Sequence, residues 1–425
     1  MSVAPRGLGR WVTVSGAILI GFLTLIPHPE AVNEVARTPW WCLRCGEYGT
    51  VDVLLNVLLF VPFGLGLRWS GLSRLRGQLI VCVTTITIEL LQWKFIVGRD
   101  ASLGDVVTNS LGGGLGILLA DGWPRFLFPV PAVARQLLLV MAAVCVAVWG
   151  GTARALSPSF PATRWFSQLA PEDVYLDTFR GTVLSVAVNG LALRSSDEIA
   201  GSPALRQSML EDGVTVGAMA VTHGPTKFLA SILSIFDNHQ TEVLVLGQNG
   251  TDLVFRARLA GRDHGLHSPA IRLANLIPAE PGDTLRAFAH LGEGRISIRG
   301  QAGSHTGSLD LRMSPSWGWT FLLPFEYALG KEAYLGTAFW VAGFLLPLGY
   351  WGARSERSIA STVIPFATAM ICLAAVPLLT GLPLAHWSEW LAAVFGLVVG
   401  GILGRLSLRL VVPLPAGEGD HPPLG

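Results

Sequence analysis

Apolar residues gather in eight runs of membrane-spanning length, at about 11–27, 52–67, 78–97, 104–120, 134–151, 334–352, 359–380 and 388–405. A bilayer core about 30 Å thick needs roughly 20 mostly apolar residues per helix, so each run predicts a transmembrane helix. The second and fourth are short or interrupted by Gly and Pro, which softens their limits. The first follows Arg6 and Arg10 as a signal peptide would, yet it ends in Pro27-His28-Pro29-Glu30 with no small-residue cleavage site. It therefore reads as a retained helix. Between the fifth and sixth runs the period changes to two. Leu253, Phe255, Ala257 and Leu259 share one face, and Ile296 and Ile298 repeat the pattern. Further strands are predicted near 183–188, 214–222, 228–236, 241–247, 284–290 and 306–312, punctuated by turns such as Asn249-Gly250 and Pro281-Gly282-Asp283. Many short alternating strands predict a sandwich. The segment from Ser314 to Gly330, with Trp317, Trp319, Phe321, Pro324 and Phe325, reads as interfacial because Trp favours the headgroup level.

Composition agrees with this division. Of 425 residues 51% are hydrophobic and 14% charged, against about 25% charged in soluble domains. The net charge of +1 points to no nucleic-acid partner. Basic residues are nearly all arginine, which suits a GC-rich bacterial genome. Arg6, Arg10, Arg68, Arg74, Arg76, Arg125, Arg135, Arg354, Arg357, Arg405 and Arg409 all fall on one side of an eight-span topology. The opposite short loops hold chiefly Arg37, Arg44, Arg99 and Lys331. The positive-inside rule then puts both termini in the cytoplasm and residues 157–313 outside a bacterial inner membrane. The expected domains are 1–156 (five helices), 157–313 (the β-domain), 314–412 (three helices) and a disordered cytoplasmic tail, 413–425.

The two membrane parts resemble one another faintly. Asp52 through Phe60-Val61-Pro62-Phe63-Gly64 resembles Thr337 through Leu345-Leu346-Pro347-Leu348-Gly349, and Asp105 to Gly112-Gly113-Gly114 resembles Glu389 to Gly396, at offsets of 285 and 284 residues. The first copy carries far more polar groups: Asp52, Asn56, Glu89, Gln92, Arg99, Asp100, Ser102, Asp105 and Asn109. Asp52/Asn56 and Asp105/Asn109 are spaced i, i+4 and Glu89/Gln92 i, i+3, so each pair projects from one helix face. Interhelical glue explains any one of these residues. Packing does not require three buried or half-buried carboxylates, since a charge at mid-membrane costs upward of about 2.5 kcal/mol. Carboxylates with an arginine can hold a phosphate- or sugar-bearing lipid headgroup, or move a proton. The set predicts one polar pocket, open to the outer leaflet.

Asp52-x3-Asn56-x3-Phe60-x-Pro62-x-Gly64, Glu89-x2-Gln92 and Arg99-Asp100-x-Ser102-x2-Asp105-x3-Asn109-x2-Gly112 resemble the VanZ-like family of bacterial membrane proteins over roughly residues 11–121. The resemblance implies a compartment, the cell envelope, and a bearing on glycopeptide antibiotic sensitivity, rather than a reaction. Gly224-Pro225-x3-Leu229-x-Ser231 and Leu246-Gly247-Gln248-Asn249-Gly250-x-Asp252-Leu253-x-Phe255 resemble the concanavalin A-like, LamG-type jelly rolls. Such domains often bind glycans, sometimes through Ca²⁺, and many are interaction modules. The expected fold is thus an all-α polytopic membrane bundle with an inserted all-β jelly-roll sandwich.

Cys42 and Cys45, placed outside the cytoplasm, suggest a disulfide or half a metal site, and without a second pair zinc is not expected. Cys82, Cys145 and Cys372 read as small apolar residues within spans. His264, His267 and His290 read as surface or core residues. Asp237-Asn238-His239 and Asn249-Gly250-x-Asp252 read as turns, with Ca²⁺ ligation the alternative and no other cofactor expected. Three functions fit: binding of a lipid-linked or wall glycan, intramembrane catalysis or lipid transport by the polar cluster, and a scaffold whose β-domain docks a protein.

Overall fold

The computed structural model describes residues 6–26, 40–43, 48–96, 101–171, 177–195, 197–323, 327–356 and 358–410. Among them are eight helices long and apolar enough to cross a membrane. These are α1 (Arg6–Leu25), α2 (Gly49–Trp69), α3 (Arg74–Phe95), α4 (Leu103–Leu127), α5 (Pro131–Ala155), α7 (Ala333–Arg354), the broken span α8–α9 (Ile359–Met370 and Val376–Thr380) and α10 (Trp387–Leu410). A π-helical turn, Ile371–Ala375, joins α8 to α9. Serine hydroxyls at Ser73, Ser102 and Ser358 cap α3, α4 and α8 by accepting backbone N–H groups that the helix cannot satisfy itself. The chain is a multi-pass membrane protein.

Two bundles result. In the first, α2 and α4 touch backbone to backbone: a Cβ on Gly112 would overlap the Val57 carbonyl oxygen, and one on Gly116 that of Val61. Only small residues permit so close an approach. The second bundle repeats this, Gly396 against the Ala342 carbonyl and Gly400 against that of Leu346. Likewise Gly64 lies on Gly113 and Gly349 on Leu397. The contacts thus recur at the two offsets read from the sequence. α5 contributes its buried Leu138, Cys145 and Trp149 to the second bundle, beside Val341, Leu345 and Leu348 of α7. At the end away from the β-domain, Asp121 receives both Arg68 (2.7 Å) and Arg74 (2.6 Å), tying α2, α3 and α4. There too, Trp351 and Arg354 of α7 donate to the carbonyls of Phe126 (2.9 Å) and Pro129 (3.2 Å), joining the two bundles.

The inserted sandwich is built mainly from residues 158–313, with β13 joining it from beyond them. One sheet has seven strands, ordered β13 (Ala328–Leu329), β9 (Ala270–Leu273), β8 (Asp252–Ala257), β7 (Glu242–Asn249), β6 (Leu229–Asp237), β1 (Trp165–Leu169) and β4 (Asp197–Glu198). The other has six: β12 (His305–Arg312), β11 (Arg295–Ala302), β10 (Thr284–Gly292), β5 (Val214–Val221), β2 (Thr182–Val188) and β3 (Leu191–Ala192). Among these strands pairing is antiparallel except for β13 with β9. The alternating residues read from the sequence, among them Leu253, Phe255, Ile296 and Ile298, meet in one core. A short helix, α6 (Ser202–Glu211), packs Leu205 and Met209 onto it.

The segment Pro315–Leu322 departs from its expected interfacial place. It winds as a 3-10 helix with Trp317 fully buried and Phe321 nearly so, both in the sandwich core. Aromatic content alone does not distinguish a headgroup belt from a core plug, because burial satisfies the same apolar rings. Phe325 and Pro324 lie outside the described residues.

Candidate functional site

The sandwich-facing ends of α2, α3 and α4 meet in a chain of hydrogen bonds. Glu89 on α3, only 7% exposed, accepts the backbone N–H of Ser102 (2.9 Å). Ser102 caps α4, its hydroxyl accepting the Asp105 N–H (3.0 Å). The Asp105 carboxylate accepts the side-chain amide of Asn56 on α2 (2.7 Å). One turn deeper, Asn109 of α4 donates to Thr85 of α3 (2.9 Å), both buried. Gln92 points elsewhere, its amide donating to the Thr24 carbonyl of α1 (2.9 Å). Gln92 Oε1 and Asn109 Oδ1 are buried without a hydrogen-bond partner among the described residues. Buried acceptors are seldom left so, and each such atom calls for an explanation.

The helical phase that grouped these residues also explains the arrangement. Thr85, Ile88, Glu89 and Gln92 form the buried stripe of α3, while Thr108, Asn109 and Gly112 face inward from α4. Asp52 stands exposed in the first turn of α2. Arg99 and Asp100 fall outside the described residues. Thr85 was not singled out in the sequence, although it lies four residues before Glu89 on the same face.

Residues 40–43 bond to the start of α4 on the side of the sandwich. Leu103 and Gly104, at the start of α4, donate to the carbonyls of Trp40 (2.7 Å) and Cys42 (3.0 Å). Cys42 is disulfide-bonded, Cys82, Cys145 and Cys372 carry free thiols, and Cys45 lies outside the described residues. Beyond, Tyr48, just before α2, is sandwiched by the β-domain: its ring stacks on His267 at 3.8 Å, and the Arg262 guanidinium lies 4.3 Å from its centroid. Burial, and then the charges of Arg262 and Arg256, pull the His267 imidazole down to about 4 from the ordinary 6.5, so the imidazole is neutral at pH 7.

The remaining candidates have structural roles. Asp237 caps its own turn, one oxygen accepting the N–H groups of His239 and Thr241 (each 2.8 Å) and the other the Thr163 hydroxyl (3.0 Å). Asp252 accepts the Asn275 N–H (2.9 Å) and pairs with Arg272 (3.0 Å). Among the described residues no group of three or more His, Cys, Asp or Glu could hold a metal ion.

Residues 9–125 match the family model described as VanZ/LLP1. The match spans nearly all of α1 to α4, hence every described residue of the polar chain, and it supports a VanZ-like membrane protein. No curated protein and no solved structure matches the chain.

Proposed function

We propose that this is a cell-envelope protein of the VanZ-like type that holds the polar headgroup of a lipid-linked glycan among α2, α3 and α4. The observation that carries this reading is the continuous chain Glu89–Ser102–Asp105–Asn56. Helix association needs only the glycine contacts of α2 and α4, so two carboxyls and two amides on the same faces exceed what packing requires. The cluster is rich in acceptors. Gln92 Oε1 and Asn109 Oδ1 await donors, and sugar hydroxyls supply donors at high density. On this reading the sandwich is a concanavalin A-like module of LamG type lying outside the cytoplasm. In support, Arg68, Arg74, Arg125 and Arg354 all lie at the helix ends away from it.

The test is retention of lipid by purified protein in nanodiscs, read by native mass spectrometry. Asp105→Asn keeps an acceptor for Asn56 and removes the charge. It should leave thermal unfolding unchanged and abolish retention of glycan-bearing lipid. Equal retention would refute the headgroup reading. Alkaline phosphatase fused after Gly265 should be active and one fused after Arg76 inactive; the reverse would overturn the orientation.

A second reading, intramembrane catalysis or transport, draws on the proximity of two carboxyls, since Glu89 lies within the field of Asp105. Such a pair can hold and pass a proton. Glu89→Gln separates the two: retention preserved with loss of the envelope phenotype favours proton chemistry, and loss of both favours binding.

A further inference from the structure

Glu89 is a buried carboxyl that no described side chain balances. It stands six residues short of the sandwich-side end of α3, about 9 Å along the helix, and is 7% exposed. Oε2 accepts the Ser102 N–H (2.9 Å), and Oε1 takes no hydrogen bond among the described residues. No arginine or lysine among them pairs with it. Lys94, near the end of the same helix, is exposed and lies over the Phe95 ring, 5.7 Å from its centroid. A carboxylate in such a place is costly until its charge is neutralised.

The side chains next to it carry spare oxygen. Gln92 follows at i+3 on the buried stripe of α3, so the two side chains are neighbours. It too is 7% exposed. Its amide nitrogen donates to the Thr24 carbonyl of α1 (2.9 Å), which turns Oε1 away from α1 and leaves it buried with no partner among the described residues. A buried acceptor in that state loses its hydration on folding and gains nothing in return. Ser102, 8% exposed, is held against the carboxyl by its own N–H. Its Oγ accepts the Asp105 N–H (3.0 Å) on one lone pair and keeps the other.

Glu89 Oε1, Gln92 Oε1 and Ser102 Oγ are hard oxygen donors, the kind that hold alkali and alkaline-earth cations rather than zinc or copper. Charge chooses between those two groups. One carboxylate cancels a monovalent ion and leaves a neutral site, whereas a divalent ion keeps a surplus charge inside the bundle. Asp105, bonded to Asn56 on α2 (2.7 Å), stands one step farther along the chain and adds to the field that draws a cation in.

We propose that Glu89, Gln92 and Ser102 hold a monovalent alkali cation between α3 and the start of α4. The ion keeps Glu89 ionised, so that the carboxylate goes on accepting the Ser102 N–H and fixes the first turn of α4, where Asp105 stands. It adjoins the proposed headgroup site without requiring a lipid: the ion takes one lone pair of Gln92 Oε1 and leaves the other for a headgroup hydroxyl.

The test is binding of radiolabelled Na⁺ to full-length protein purified in detergent, read by scintillation proximity in choline chloride at neutral pH. The wild type should bind saturably, one ion per chain. Unlabelled Na⁺ and K⁺ should displace the label where choline does not, and their order identifies the preferred ion. Glu89→Gln should lose saturable binding. Glu89→Asp keeps a carboxylate on a shorter stem and should weaken binding about ten-fold, as should Gln92→Leu. All three should elute as the wild type does in size-exclusion chromatography. Absence of saturable binding in the wild type would overturn the proposal and leave Glu89 with a proton. Displacement by Ca²⁺ at lower concentration than by Na⁺ or K⁺, or wild-type binding by Glu89→Gln, would overturn it as well. Ion binding by protein that retains no glycan-bearing lipid would refute the headgroup reading alone, and lipid retention without ion binding would refute the ion alone.

Discussion

In the first bundle, α4 begins with Asp105 facing Asn56; at the matching place in the second, α10 begins with Glu389, and Val341 stands where Asn56 would be. Both carboxyls are used, but for different ends. Glu389, 1% exposed, accepts the hydroxyl of Ser314 with both oxygens (3.0 and 2.9 Å), and Thr337, the counterpart of Asp52, accepts the indole N–H of Trp319 (3.1 Å). The chain leaving the sandwich thus fills the polar corner of the second bundle. In the first bundle the equivalent corner keeps Glu89, Asn56 and Asn109, and the sandwich meets its rim at Tyr48 and at Val51, whose N–H donates to the Gly265 carbonyl (3.3 Å). The span Ile359–Thr380 supplies no charged residue in place of Glu89. The two halves share a scaffold of glycine contacts, and the polar chain is an addition to it. That contrast separates what holds the helices together from what awaits a ligand.

The scaffold itself gives the largest expected effect. Gly116→Leu and Gly400→Leu each drive a side chain into a facing carbonyl, a clash between backbones that should cost more than about 3 kcal/mol. Both variants should vanish from the monodisperse peak in size-exclusion chromatography of detergent extracts. Loss of one with survival of the other would break the equivalence of the halves.

The two anchors of the sandwich should respond differently to acid. His267 stays neutral in the folded state down to about 4, whereas its unfolded form takes up a proton near 6.5. The unfolded state therefore binds more protons between those values. The contribution is intact above 6.5 and is lost as pH falls toward 4, an effect on the order of 3 kcal/mol at most. Thermal unfolding midpoints from pH 7.5 to 4.5 should fall in the wild type and less steeply in His267→Phe, which keeps a ring against Tyr48. Parallel curves would remove His267 from the anchor on the first half.

Alanine at the two matching carboxyls should sharpen the contrast further. Glu389→Ala strips Ser314 of its acceptor and Asp105→Ala does the same to Asn56, each costing about 1–3 kcal/mol. Their readouts should diverge. Glu389→Ala should raise protease cleavage near 314–322 while lipid retention persists, and Asp105→Ala should lose retention with no new cleavage there. Identical behaviour would mean that both carboxyls serve only as anchors.

Much of this was legible in the sequence because it depends on period and composition. Eight apolar runs gave eight spans, and the alternation of Leu253, Phe255, Ile296 and Ile298 gave the sandwich. The i, i+4 spacings placed Asn56 and Asp105 in one polar set without pairing them, and the glycine contacts of α2 and α4 bring the two to 2.7 Å. Other features depend on contacts distant in sequence. The Ser314–Glu389 and Tyr48–His267 contacts each join residues in separate elements, and no local pattern announces them. α6 is a different case. Ser202-Pro203 followed by Leu205 and Met209 is a legible amphipathic helix start, submerged among strand signals.

The smallest effect tests the deepest link of the polar chain. Thr85→Val is nearly isosteric and leaves the Asn109 amide without its acceptor. Interhelical hydrogen bonds in membranes average only about 0.6 kcal/mol, because the unfolded reference finds other partners, so the midpoint should move by a degree or two at most. The second bundle suggests the compensating change: Ala393, 2% exposed, occupies the place of the equally buried Asn109. Removing both partners of a buried bond is nearly neutral where removing one is not. The double variant Thr85→Val, Asn109→Ala should therefore recover wild-type stability and make the first half resemble the second at this layer. If it also keeps its lipid, Thr85 and Asn109 are packing, and the ligand contacts end at Asp105. Recovered stability with lost lipid would place Asn109 Oδ1 among the atoms that meet the headgroup, which is the outcome expected from an acceptor buried without a donor.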